Sequence, residues 1–208
     1  MSERGAGVPQ ISAQEFAAVP LRVHTFLAGV PLNDVWATDL PRARTGITLD
    51  EFLRATSGRL FTPSPVVRTL LSIRFFVGGL FGWDRTTSTA AGADTFADRL
   101  TTADRATSLL PAGRKDGPFR VVYRFDNEQL LELVNRTAHA AALSALVETA
   151  SGYRFYFAVY VRSVGRLTPL YMALIDPFRK LVVYPSLLRT VRARWDQTIG
   201  SGGTESPR

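Results

Sequence analysis

The chain has 208 residues, 46% hydrophobic and 11% aromatic, enough apolar material for one well-packed domain and for two only if both are small. Its net charge is +7, but of 25 basic residues only Lys115 and Lys180 are lysines, and the arginines are scattered along the whole chain. Such scatter weakens a nucleic-acid reading, because phosphate binding needs the charge gathered on one face. Cysteine is absent, which excludes disulfides and thiolate metal sites and fits a reducing cytoplasm, the expected location.

In chain order, MSERGAGVPQISAQE is polar and lacks the apolar stretch of a secretory signal. Residues 1–14 and the tail 200–208 offer too little apolar surface to offset chain entropy; both are expected to be disordered, around one domain over 15–199. LRVHTFLAG and NDVWATDLP are short β-rich runs bounded by Pro and Gly, and they predict one or two strands. TLDEFLRATSG predicts a helix, with Thr48 as N-cap, Glu51 three residues on completing a capping box, and Gly58 as the stop. A second helix is expected from Ser64, with Pro65 at its first position. Residues 83–117 are polar and rich in Thr, Ala, Asp and Gly, and read as a long connection with one short helix around Phe96 to Thr107.

Strand signals follow. Phe119, Val121, Tyr123 and Phe125 alternate with Arg120 and Arg124, and Leu131 and Leu133 alternate with Glu132. A three-residue loop from Asp126 to Glu128 would set Tyr123 opposite Leu131 and keep both apolar rows on one face. A two-residue loop would put Leu131 and Leu133 on the arginine face, so the longer turn is expected. HAAALSALVETA favours a helix by propensity, yet it lies between one strand and YRFYFAVYVRSV, so it is read as part of an antiparallel meander.

The stretch LYMALIDPFRKLVVYPSLLRTVRARW carries five basic residues and two prolines, and its longest uncharged run is too short to span a bilayer. VVRTLLSIRFFVGGLFGW is interrupted by Arg68 and Arg74. On a helical count Leu167, Leu170, Leu174, Phe178, Leu181, Pro185 and Leu188 fall on one stripe, the pattern of a helix laid on a sheet, with bends expected at Pro177 and Pro185. The alternative is a peripheral contact of its arginines with anionic lipid.

NDVWATDLP, GPFRVVYRFDNEQLLELVNRTAH and YFAVYVRSVGRLTPLYMALIDPFRKLVVYPSLLR together resemble the bacterial domain-of-unknown-function family catalogued as number 2867, usually placed in the START-like (SRPBCC) superfamily. The resemblance implies an α+β helix-grip fold: a curved antiparallel sheet packed on a long C-terminal helix, with two shorter helices between the first strand and the meander. It also implies a cavity between sheet and helix that holds a small apolar or aromatic molecule, lipid or polyketide-like. No reaction comes with it.

With the apolar faces inward, the expected lining is Trp36, Tyr123, Leu131, Leu133, Phe155 and Phe157, joined by Leu170, Leu174 and Phe178 of the final helix. His139, Tyr123 and Asn135 are the polar groups for a cyclase, dehydratase or isomerase alternative, with His139 as the general base. A lone histidine is nevertheless more often a hydrogen-bonded structural residue, and Asp34, Trp36 and Asp176 read first as cap, rim or core residues. No phosphate-cradling loop, nucleophile elbow or metal-ligand spacing occurs, so no cofactor and no metal are assigned. The expected partner is a small apolar ligand, without nucleic acid or a transmembrane segment, and the chain is expected to be a monomer or homodimer. A membrane-surface or protein-interaction module is the remaining alternative.

Overall fold

The structure is a computed structural model and describes residues 10–55, 95–134, 139–163, 176–177 and 179–199. Six antiparallel strands form one open sheet: β1 (Leu32–Pro41), β2 (Lys115–Asp116), β3 (Phe119–Arg124), β4 (Glu128–Val134), β5 (His139–Thr149) and β6 (Gly152–Arg162), in the order β1-β6-β5-β4-β3-β2. β2 to β6 run as a meander, and β1 closes against the last strand, with Trp36 opposite Phe157 and Leu40 opposite Tyr153. The alanine-rich β5 is a strand because β4 and β6 pair with it along its length, which overrides its helical propensity.

Both faces of this sheet are covered. On one side lie α1 (Ala13–Ala17), α2 (Val23–Phe26), a 3₁₀ turn (Phe96–Arg99) and α4 (Thr102–Thr107), over Val35, Ala37, Tyr123, Leu130, Ala141, Leu143, Tyr156 and Tyr160. On the other side α3 (Leu49–Ala55) and the C-terminal helix α5 (Tyr184–Thr198) cover Trp36, Leu40, Leu146, Tyr153, Phe155, Phe157 and Val159. This is an α+β helix-grip architecture. Thr48 caps α3 as the sequence predicts, its Oγ1 accepting from the Glu51 N–H at 3.0 Å. Trp195 anchors the far end of α5: it is fully buried against Phe52 and Tyr153, and its indole N–H donates to the Pro41 carbonyl at 3.0 Å.

Four local expectations change. LRVHTFLAG contains helix α2, not a strand, because Val23, Phe26, Leu27 and Val30 are buried at helical spacing. Order begins inside the stretch expected to be disordered: Gln10 bridges Trp36, and Ser12 caps α1 through the Glu15 N–H at 3.0 Å. The β3–β4 turn is the two-residue one, with the Phe125 N–H donating to the Glu128 carbonyl at 2.8 Å. A bulge between Val121 and Tyr123 then absorbs one residue, so Val121 pairs with Leu131 and Tyr123 with Leu130. Finally, a π-helical turn (Arg179–Val183) precedes α5. Pro185 has no N–H to offer and its ring crowds the carbonyl four residues back, a conflict that a widened turn relieves. The buried stripe is therefore Tyr184, Leu187, Leu188, Val191 and Trp195, and Leu181 is 77% exposed. The helix expected from Ser64, and Leu167, Leu170, Leu174 and Phe178 of the expected stripe, lie outside the described residues.

Candidate functional site

Alternation along β1 sends Asp34, Trp36, Thr38 and Leu40 to the side covered by α5. A register shift between Leu32 and Asp34 sets Asp34 opposite Val159 of β6. Its side chain is fully buried, and Oδ2 accepts from Asn33 Nδ2 at 2.6 Å and from Arg179 Nη2 at 3.1 Å. Burial pushes the Asp34 carboxyl up, opposed by Arg179 and the Asn33 hydrogen bond. Arg179 is a hub: Nη1 donates to Asp176 at 3.1 Å, Nε donates to the Tyr184 hydroxyl oxygen at 2.5 Å, and its guanidinium lies 5.3 Å from the Tyr184 ring centre. Lys180 also reaches Asp176, at 3.3 Å. Burial drives the Tyr184 phenol up.

An aromatic wall stands beside this cluster. The Trp36 and Phe157 rings each lie 5.5 Å from Tyr184. Two buried atoms here, Asp34 Oδ1 and Trp36 Nε1, have no hydrogen-bond partner. They belong to side chains two residues apart on one strand face, about 7 Å along the strand. Further across the sheet, the same face carries Ser144 and Gln129, both buried, and Gln129 Oε1 accepts from Arg124 Nε at 2.5 Å. Among the described residues, this arrangement sets a buried, unpartnered donor and a buried, unpartnered acceptor beside an apolar wall.

The family described as "Protein of unknown function (DUF2867)" matches residues 26–186. The chain belongs to this family. No curated protein and no solved structure matches it. In this DUF2867 chain the matched span runs from α2 through the first residues of α5 and so contains Asp34, Trp36, Arg179 and Tyr184.

Of the residues singled out from sequence, Trp36, Phe155 and Phe157 face α5, and pairing places Leu131 and Leu133 on that face beside Ala142 and Ala140. Tyr123 and His139 do not. The bulge turns Tyr123 to the opposite side, where its hydroxyl donates to Glu128 Oε1 at 3.0 Å. His139 shares its face with Ala141 and stacks on Phe96 at 4.0 Å. Arg162 can only donate, so His139 Nδ1 accepts from it at 2.7 Å, and Nε2–H donates to Glu132 Oε1 at 2.5 Å. Glu132 Oε1 also accepts from the Phe96 N–H at 2.6 Å. His139 thus fastens the 3₁₀ turn to the sheet, and neither it nor Tyr123 lies on the α5 side. Asn135, Leu170, Leu174 and Phe178 lie outside the described residues.

The Asp34–Arg179 pair was missed as a site. The available signal was parity: Asp34 falls on the same strand face as Trp36, so an acid shares a row with a core aromatic. Arg179 is 145 residues away in sequence, and nothing local ties it to β1.

Proposed function

We propose that this DUF2867 chain binds a small apolar or aromatic molecule between the sheet and its C-terminal helix. The observation that carries the reading is the pair of buried, unpartnered atoms, Asp34 Oδ1 and Trp36 Nε1, beside the Tyr184 and Phe157 rings. Leaving a buried polar group unpaired costs about 1–3 kcal/mol, a cost that a bound molecule supplying the partner would remove. The resemblance to START-like domains supports the same side of the sheet, since their ligands lie between sheet and final helix. A cyclase, dehydratase or isomerase reaction through His139 and Tyr123 draws no support from the geometry, because both face away from α5.

Titration of the intact chain with Nile red, an uncharged apolar dye, tests the proposal. Saturable fluorescence enhancement that an excess of naphthalene reverses is the expected result. No enhancement, together with no small molecule retained in native mass spectrometry, contradicts it.

A further inference from the structure

We infer that the Asp34–Trp36 site selects a ligand whose polar end is uncharged and both donates and accepts a hydrogen bond, a hydroxyl or an amide, and that it rejects carboxylates. The inference rests on the binding reading above and narrows it to a ligand class.

Three features carry it. Trp36 has a single polar atom, an obligate donor, and that atom is buried without a partner, so the ligand must bring an acceptor. The open Oδ1 of Asp34 is an acceptor on the same strand face, so the ligand must also bring a donor. A hydroxyl supplies both functions from one atom and an amide from two adjacent ones.

Charge provides the third feature. Asp34 and Asp176 face Arg179 and Lys180, two negative groups against two positive ones. Among the described residues this balance leaves no surplus cation for a carboxylate, which would instead sit beside the open oxygen of Asp34. An ammonium would satisfy Asp34 but leave the Trp36 N–H unpaired and approach Arg179. A plain hydrocarbon satisfies neither atom. On the opposite face His24 Nε2 and Glu128 Oε2 are also buried without a hydrogen bond, on α2 and β4, and Arg154 Nε lies 3.5 Å from Asp39 Oδ1.

Displacement of bound Nile red at pH 7 by naphthalene, 2-naphthol and 2-naphthoate, three molecules with one ring system, tests the selection. The expected order is 2-naphthol at about tenfold lower concentration than naphthalene, with 2-naphthoate weakest. In Trp36→Phe, which keeps a ring and removes the N–H, the ratio of 2-naphthol to naphthalene within the variant falls to near one. Equal potency of 2-naphthol and naphthalene, a preference for 2-naphthoate, or a ratio that survives in Trp36→Phe overturns the inference while leaving apolar binding intact. Should Trp36→Phe not fold, the order of the three compounds on the natural chain decides. A chain that binds neither dye nor any naphthalene overturns the binding proposal itself, and the inference with it.

Discussion

The two faces of the sheet use polar residues differently. Under α1, α2 and the 3₁₀ turn, most charged and aromatic hydroxyl groups pair with one another, Glu132 with His139 and Phe96, Tyr123 with Glu128, Arg22 with Asp104, while His24 Nε2 and Glu128 Oε2 stay unpartnered. The alanines Ala37, Ala141, Ala145 and Ala158 let the covering segments approach the sheet on that side. Under α5 the sheet presents Trp36, Phe155, Phe157 and Tyr153, and the buried Asp34 of β1 is only half satisfied. The comparison teaches that a histidine on a small-residue strand is here a clasp, and that the face with an unpartnered donor and acceptor on one strand, the open face, is the one without histidine.

The largest expected effect comes from detaching the helix that defines the open face. Trp195→Ala removes a fully buried indole and its bond to Pro41, and is expected to cost about 3–5 kcal/mol in urea unfolding. Next is Glu128 on the closed face, only 1% exposed. Burial pushes its carboxyl from 4.5 up to about 7, against the hydrogen bond from Tyr123. The folded chain then holds a proton that the unfolded chain has released. Stability therefore falls as pH rises from about 4.5 through about 7, by on the order of 3 kcal/mol. Glu128→Gln flattens that dependence in thermal melts between pH 5 and 8; an unchanged slope assigns it elsewhere.

Glu132→Gln keeps an acceptor for Phe96 and His139 but removes the charge, and is expected to cost about 1–2 kcal/mol. Faster amide exchange in the Phe96–Arg99 turn, with α5 unaffected, would tie the loss to the closed face. The smallest effect belongs to Leu181→Gln. On the stripe expected from sequence it would be a core deletion, but at 77% exposure it should shift stability by less than about 0.5 kcal/mol.

The meander was legible because Tyr153, Phe155, Phe157 and Val159 keep strict alternation along β6, and α3 because Thr48 and Glu51 form a local cap. Which face each residue takes was not. β5 is buried on both sides and its alanines give no apolar–polar contrast, so nothing in HAAALSALVETA tells where His139 points. The bulge beside Tyr123 reverses parity within β3 and cannot be read from a sequence whose residues alternate without a break. The stripe on the C-terminal helix failed at Leu181 for a related reason: a periodic count assumes a constant number of residues per turn, and the π-helical turn violates it. The Asp34–Arg179 contact joins the first strand to the π-helical turn before the last helix, a pairing that only the fold creates.

Hydrogen–deuterium exchange of the intact chain, with and without saturating 2-naphthol, tests most directly whether the α5 side is the binding face. Slower exchange in peptides from Leu32–Pro41 and Tyr184–Thr198, with Val23–Phe26 and Thr102–Thr107 unchanged, is the predicted result. Protection confined to Val23–Phe26 and Thr102–Thr107 would place the ligand on the closed face and contradict the account.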